Sequence, residues 1–195
     1  MAGYARCTAL LDACVLYSIA MTDALISLAV TGLFAAKWTQ AIEAEWMAAL
    51  VRSRPELQGR LAFRRDSMRL AVPDWEVPEA AWKPLAIGLV LPDANDHHVL
   101  AAAIAGHVDC IVTTNLKDFP SDATAEYGVE VIHPDQFMIN QWDLDQLTAI
   151  ATFKRMRARR KKPEEEETAE GFAQALERHG LPATAQRLRD AAELI

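Results

Sequence analysis

The sequence LPDANDHHVLAAAIAGHVDCIVTTNLKDFP, residues 91–120, combines a helix and a strand with an acidic residue beside each. Its alanine-rich part predicts a helix over residues 96–105, opened by Asp96. Residues 110–113 predict a buried strand, and Asp118 follows that strand after a few residues. A helix followed by a buried strand is typical of an α/β sheet, and ligand sites in such sheets form at the carboxyl ends of the strands.

Upstream of this stretch, apolar runs alternate with helical segments. Residues 8–11 are apolar and end at Asp12, as expected for a buried parallel strand that delivers a polar residue to its carboxyl edge. Helical character follows to about residue 30, and residues 33–36 are a second candidate strand. Thr39 is a suitable N-cap for the next helix.

The middle of the chain completes the predicted order of elements. Residues 55–70 have a helical pattern, and a proline-punctuated loop surrounds Trp75 and Trp82. Residues 85–91 are predicted to form another buried strand, and residues 129–132 the last one. This order predicts an α/β layer fold with a mostly parallel central sheet.

Length and composition exclude several classes of protein. With 195 residues, 51% of them hydrophobic, the chain can form one domain of about 130–150 residues with an additional segment. Cys7, Cys14 and Cys110 are odd in number and widely spaced, so they indicate neither a disulfide framework nor a zinc site. Asp12 and Asp23 interrupt the apolar N-terminal stretch, and no basic leader precedes it. We therefore expect a soluble cytoplasmic protein without a membrane segment.

The C-terminal part has a different character. After about residue 140 the pattern is all-helical, and the basic run KRMRARRKK at 154–162 precedes four glutamates at 164–167. The net charge of -7 at pH 7 means that any binding of nucleic acid needs localised positive charge. The run either contacts an RNA backbone or is a solvated helix C-terminus stabilised by the helix dipole. The first interpretation assigns possible RNA contacts to Arg157, Arg159 and Arg160.

Four acidic residues at strand ends and in helices are candidates for a catalytic site: Asp12, Glu45, Asp96 and Asp118. Carboxylates within a few ångströms of one another repel, so their convergence is costly unless a divalent cation is bound. Mg²⁺ and Mn²⁺ prefer oxygen ligands and keep positions open for a substrate phosphate. Such an ion can support in-line attack of water on a phosphodiester. The pattern is therefore compatible with hydrolysis that needs no protein nucleophile.

Two of the acidic positions are ambiguous. Glu43 and Glu45 lie two residues apart in a predicted helix and point about 200° away from each other, so only one of them faces the site. Asp93 either supplements Asp96 or caps a turn.

Histidine and tryptophan side chains also allow two interpretations. His97 and His98 either ligate metal or contact RNA, or face solvent in the first turn of a helix; we expect the latter, because a site for a hard cation prefers oxygen ligands. Trp75 and Trp82 are either buried anchors or, in their loop-rich stretch, platforms for unpaired RNA bases.

These motifs together resemble the PIN-domain family, especially the branch that contains VapC-type toxins. The matching segments are LLDACVLYS at 10–18, TQAIEAEW at 39–46, the stretch at 91–120 and the closing strand at 129–132. The most specific part is Asp-x-x-Asp-x-x-x-Leu-Ala-Ala-Ala, followed by Val-Thr-Thr-Asn-Leu-Lys-Asp-Phe. The resemblance covers about residues 8–140.

The resemblance implies an α/β, PIN-like fold with a mostly parallel central sheet flanked by helices and a C-terminal helical appendage. The nuclease domain would be residues 1–140 and the helical subdomain residues 141–195. The implied metal ligands are Asp12, Asp96 and Asp118, with Glu45 rather than Glu43 as the fourth catalytic carboxylate. Residues that would support these or orient the substrate are Thr114, Asn115, Asp93 and Glu43.

The implied activity is that of an endoribonuclease that depends on Mg²⁺ or Mn²⁺. By the same resemblance it would be the toxin of a type II toxin-antitoxin pair, restrained by a small antitoxin protein. The alternatives are a PIN nuclease in RNA processing without an antitoxin, and a catalytically silent scaffold that binds a protein partner. The apolar helix near residues 25–33 is compatible with a homodimer and equally with a buried core helix.

Overall fold

The computed structural model describes residues 6–160 and 167–195 of the chain. The contacts divide it into two compact units, one formed by the chain up to Tyr17 with Phe34–His133, the other by Ser18–Leu33 with Pro134–Ile195. The boundary at residues 140 and 141 that we expect from the sequence stays a prediction. In the described residues, every helix is too short or too polar to cross a membrane.

The first unit is built on a parallel sheet. Its strands in the described residues are β1 (Thr8–Leu11), β2 (Ala35–Lys37), β3 (Cys110–Val112) and β4 (Glu130–Ile132), in the order β2-β1-β3-β4. All pairs are parallel, and the central strands β1 and β3 are almost completely buried. Such apolar runs are typical of strands covered on both faces. The predicted parallel sheet is confirmed, with β2 beginning two residues later than expected.

Helices flank this sheet. Those of the first unit are α1 (Ala13–Tyr17), α3 (Gln40–Ser53), α4 (Ala62–Ala71), α5 (Glu79–Trp82), α6 (His97–Ala105) and α7 (Ser121–Thr124); α2 (Ile19–Val30) belongs to the second unit. Thr39 caps α3 as predicted, since its side chain accepts a hydrogen bond of 3.1 Å from the backbone N–H of Ile42. The predicted helix over 55–70 is divided: a 3-10 turn at Pro55–Leu57 and Gly59, at φ 75°, separate it from α4.

The strand predicted over residues 85–91 is wrong. Leu85–Gly88 forms a 3-10 turn, and the backbone that follows is irregular. Ile87 and Val90 are 90% and 84% exposed, so this apolar run does not cross the core. A short apolar run does not by itself specify a buried strand, and here Pro84 and Gly88 favour a turn.

The second unit is helical. Besides α2 it contains α8 (Pro134–Leu144), α9 (Gln146–Arg159), α10 (Ala169–Arg178) and α11 (Pro182–Asp190). The predicted C-terminal helical appendage is confirmed, although parts of the basic run and of the glutamate run, residues 161–166, lie outside the described residues. Its core includes four aromatic side chains: Phe137, Trp142, Phe153 and Phe172.

A buried carboxylate in α8 fixes the start of α11. Asp135 is 6% exposed and accepts hydrogen bonds of 2.8 Å from the backbone N–H groups of Ala183 and Thr184. The hydroxyl of Thr184 donates a third bond of 2.7 Å to the same side chain. The free N–H groups at the beginning of a helix are thereby satisfied by a side chain from another helix.

We expect Asp135→Ala to lower the free energy of unfolding by about 2–3 kcal/mol, because it leaves buried N–H and O–H groups without an acceptor. Asp143→Ala is a matched control on α8, since Asp143 is exposed and forms a surface ion pair with Arg187. Its effect should stay below about 1 kcal/mol. Urea denaturation followed by circular dichroism measures both, and equal effects would contradict the capping role of Asp135.

Candidate functional site

Three aspartates converge at the carboxyl edge of the sheet. One carboxylate oxygen from each of Asp93, Asp96 and Asp118 lies within 4.8 Å of those of the other two. Asp93 begins the 3-10 turn Ala94–Asp96, which places Asp96 immediately before α6. Asp118 ends a second 3-10 turn, Leu116–Asp118, a few residues after β3. We refer to these three residues as the aspartate cluster.

Asp12 lies directly after β1 and is held rigidly. It is 6% exposed, and its Oδ1 accepts a hydrogen bond of 2.6 Å from the backbone N–H of Ala13. Its Oδ2 accepts from the hydroxyl of Thr113 at 2.6 Å and from the thiol of Cys14 at 3.1 Å. The side chain therefore has a fixed orientation before any ligand is present.

Sequence reasoning missed Thr113 and selected its neighbours instead. In the structure Leu11 pairs with Val112 in the parallel register, which brings the next residues, Asp12 and Thr113, side by side. Thr113 also accepts a hydrogen bond of 3.0 Å from the backbone N–H of Asn115. Its hydroxyl thus links the end of β1 to the loop after β3.

Of the two residues that the sequence did select here, Asn115 contacts the aspartate cluster. Its side-chain amide donates a hydrogen bond to Oδ2 of Asp118. Thr114 is exposed, and its backbone N–H donates to the sulfur of Cys14 at 3.2 Å. The thiol of Cys14 has a pKa raised to about 11, first by burial and then by the charge of Asp12, so it remains neutral at physiological pH.

The two glutamates of α3 point in different directions. Glu43 is 2% exposed and accepts hydrogen bonds of 2.9 Å from the indole N–H of Trp38 and from Nε of Arg69. A second bond from Arg69 engages its other oxygen. The guanidinium of Arg69 lies 4.6 Å from the ring centre of Trp75. Both oxygens of Glu43 therefore belong to a core ion pair.

Glu45 remains partly open to solvent. Its side chain is 48% exposed, and its Oε2 lies 3.4 Å from Nε2 of His98. The prediction that His98 faces solvent is wrong, because its side chain is only 21% exposed and packs against Trp82. The first turn of α6 carries this ring inward.

Trp75 and Trp82 are buried, which contradicts their role as platforms for RNA bases. They are 7% and 8% exposed, and Trp75 stacks on Trp38 with the ring centres 5.1 Å apart. Although both lie in a loop-rich stretch, they anchor that stretch to the body of the first unit.

Electrostatic crowding is strongest at Asp96. Burial raises its pKa to about 6, and the charges of Asp12, Asp93, Asp118 and Glu45 act in the same direction. Its Oδ2 is buried and has no hydrogen-bond partner in the described part of the chain. A buried, unpartnered carboxylate oxygen facing other carboxylates fits an oxygen-ligated divalent cation such as Mg²⁺ or Mn²⁺. The acidic cluster could therefore bind a metal ion.

The arginines of the basic run lie in the second unit. Arg159 contacts Asp23 at 2.9 Å, and Arg160 contacts Glu167 at 3.5 Å. Arg160 also lies 5.4 Å from the ring centre of Phe172. Internal partners thus neutralise two of the three arginines that the sequence assigns to RNA, and a surface ion pair of this kind is weak enough to exchange for a phosphate.

Comparison with known proteins gives matches to both parts of the chain. The model of a PIN domain matches residues 8–117, which is more than half of the chain, and the model of a VapC50 C-terminal domain matches residues 134–190. A protein of Mycobacterium tuberculosis (strain ATCC 25618 / H37Rv), named as a candidate ribonuclease VapC50, is 53% identical over 50 residues. That stretch covers 26% of this chain and 30% of the relative, well under two thirds of its length. No solved structure matches.

The raised pKa of Asp96 predicts a dependence of stability on pH in the absence of metal. Its pKa in the fold is about 6 against an ordinary value of 3.8, so the folded state disfavours the ionised form. Below about pH 4 the side chain is largely protonated in both states and the penalty is small; the penalty grows between about pH 4 and pH 6 and is complete above pH 6. In EDTA at pH 7 we expect Asp96→Asn to be more stable than the wild type by about 1–2 kcal/mol, allowing for solvent screening.

Urea denaturation at pH 4 and pH 7 measures this difference, which should disappear at the lower pH. Asp122→Asn removes an exposed carboxylate of α7 and serves as the matched control, with no gain expected at pH 7. Added Mg²⁺ should reverse the order by stabilising the wild type more than Asp96→Asn. A wild type that is as stable as Asp96→Asn at pH 7 in EDTA would contradict the crowding at Asp96.

Proposed function

Because the chain belongs to the PIN-domain family, we propose that it is a metal-dependent endoribonuclease that hydrolyses RNA phosphodiester bonds. The observation that carries this proposal is the convergence of Asp93, Asp96 and Asp118 within 4.8 Å, with an unpartnered buried oxygen on Asp96. Neighbouring carboxylates repel one another and destabilise the fold, so a site without catalytic activity would tolerate their loss. Their presence therefore favours an active nuclease over a catalytically silent scaffold.

We assign catalytic roles to Asp12, Glu45, Asp96 and Asp118, and metal ligation to Asp12, Asp96 and Asp118. Asp93 supports the ion as part of the aspartate cluster. Asn115 orients Asp118 through its amide. Thr114 is exposed beside these residues, and we assign it a contact with the substrate. Glu43 supports the site indirectly, because its core ion pair fixes α3, the helix that also carries Glu45.

When bound, Mg²⁺ or Mn²⁺ would supply Lewis acidity for the attacking water and for the leaving oxygen. The protein supplies preorganisation, since Thr113 and the N–H of Ala13 fix Asp12 without requiring a ligand. Glu45 is the most accessible of the catalytic carboxylates described here and accepts a proton from the attacking water. Because carboxylates repel a phosphate, the oriented aspartates would hold the cation, whose open coordination positions would bind the scissile phosphate.

The biological role that we propose is the toxin of a type II toxin-antitoxin pair. The support is the match to a VapC50 C-terminal domain and the partial match to a relative named as a candidate ribonuclease, VapC50. An antitoxin protein would then restrain the nuclease. The helical subdomain, residues 141–195, would contact RNA or the antitoxin, with Arg157, Arg159 and Arg160 as possible contacts to RNA.

A cleavage assay tests the nuclease. Purified protein is incubated with a pool of tRNA and rRNA in the presence of Mg²⁺ or Mn²⁺, and in parallel with EDTA. We expect discrete RNA fragments only with metal, and a loss of at least about 100-fold in rate for Asp96→Asn. Asp122→Asn, an exposed carboxylate outside the aspartate cluster, is the control and should cleave like the wild type. Cleavage that persists in EDTA or in Asp96→Asn would refute the assigned site.

A growth assay tests the toxin role separately. Induced expression of the wild type in a bacterial host should arrest growth and deplete specific RNAs, because uncontrolled cleavage of RNA stops protein synthesis. Expression of Asp96→Asn to the same level should leave growth unchanged. If the wild type cleaves RNA in vitro but leaves growth and RNA profiles intact, the nuclease assignment stands and the toxin role fails. An RNA-processing enzyme without an antitoxin then becomes the better interpretation.

A further inference from the structure

His98, which is not among the proposed metal ligands, contacts the catalytic carboxylate of Glu45. It lies in the first turn of α6, two residues after Asp96, and its side chain is 21% exposed. Its Nε2 is 3.4 Å from Oε2 of Glu45, and the ring centre is 6.0 Å from that of Trp82, with the planes tilted by 54°. The ring therefore links α3 to α6 beside the aspartate cluster.

The surroundings of the ring determine which nitrogen carries the proton. A carboxylate oxygen only accepts hydrogen bonds, so Nε2 faces Glu45 as an N–H donor. Nδ1 is buried and has no hydrogen-bond partner in residues 6–160 and 167–195. His98 thus presents an oriented N–H donor to Glu45 from Nε2.

Glu45 needs such a partner. Its side chain is 48% exposed, and its Oε2 lies 3.4 Å from Nε2 of His98. An exposed glutamate on a helix otherwise samples several rotamers. Its contact with His98, two residues after Asp96 in the first turn of α6, places its carboxylate near the aspartate cluster. The other glutamate of α3, Glu43, is already held by Arg69.

We propose that His98 is a positioning residue, which donates from Nε2 to Glu45 and holds that carboxylate toward the aspartate cluster. The inference rests on the proposed function, because it takes the cluster to be a metal site. The separation of 3.4 Å lies at the long end of hydrogen-bond distances, so the contact orients the carboxylate of Glu45, and without it that carboxylate is free to turn away from the cluster. Removing the donor therefore weakens the binding of the cation even though His98 is not itself a ligand.

Binding of Mn²⁺, measured by the electron paramagnetic resonance signal of the free ion, tests this role without relying on activity. We expect His98→Ala to raise the Kd for Mn²⁺ by about tenfold. In His98→Gln the amide N–H reaches the position of Nε2, so most of the affinity should return, whereas the shorter His98→Asn should behave like His98→Ala. In the Glu45→Gln background, His98→Ala should have no further effect, because the interaction is already removed.

His97→Ala is the matched control in the same turn. The ring of His97 accepts a hydrogen bond of 3.3 Å from the backbone N–H of Leu91 and does not contact Glu45 in the described structure, so the Kd should stay within about twofold of the wild type. If His98→Ala does not fold, the comparison of His98→Gln with His98→Asn decides the question.

Two different failures can be distinguished. If the wild type binds Mn²⁺ and cleaves RNA, but substitution of His98 leaves the Kd unchanged or weakens it equally in the Glu45→Gln background, the positioning role is wrong and the proposed function stands. If the wild type binds no Mn²⁺ at all, the proposed function fails and the positioning role fails with it.

Discussion

Repulsion between carboxylates is the constraint on which the rest of the site depends. Asp93, Asp96 and Asp118 lie within 4.8 Å of one another, and the charges of Asp12 and Glu45 add to the crowding at Asp96. Ionised groups at such distances separate unless the backbone holds them. Here the backbone does so, because two 3-10 turns at the carboxyl edge of the parallel sheet position Asp96 and Asp118. The fold maintains an arrangement that the side chains alone would avoid.

The buried acidic residues differ in whether the protein itself supplies hydrogen-bond donors to their carboxylates. Glu43 has the guanidinium of Arg69 and the indole N–H of Trp38, and it is almost fully buried. Asp135 in the second unit is equally buried and is satisfied by the beginning of α11. In contrast, Asp96 retains a buried oxygen without a partner in the described residues. An unpartnered oxygen that lies among other carboxylates, in contrast to the satisfied oxygens of Glu43 and Asp135, is typical of a ligand site rather than of a structural acid.

The sequence predicts the sheet well because its strands depend on local patterns. The apolar runs before Asp12 and Thr113 specify strands that end where polar residues begin, and parallel strands bring such ends to one edge. The run at 85–91 fails because exposure of Ile87 and Val90 is decided by tertiary packing, which an apolar pattern does not report.

Roles within the site were harder to predict for a different reason. The residue type does not distinguish an aspartate that caps a turn from one that binds a cation. Asp93 caps a turn, and it also lies in the aspartate cluster, where a cation could bind. Thr113 was missed because its partner, Asp12, is distant in sequence and only the strand register joins them. The inward position of His98 likewise depends on Trp82, a contact between elements that no helical pattern encodes.

The division between fixed and free groups indicates how the site is organised. Asp12 and Asp118 have hydrogen-bond donors of their own, from Thr113 and Asn115, and their orientation does not depend on a ligand. In the described residues Asp96 lacks a donor at Oδ2, and Glu45 has a contact of 3.4 Å with His98. A bound cation would therefore meet two oriented ligands, Asp12 and Asp118, and would supply the partner that Asp96 lacks. The preorganised carboxylates keep the binding geometry specific. The carboxylates without hydrogen-bond donors contribute the favourable electrostatic free energy of binding.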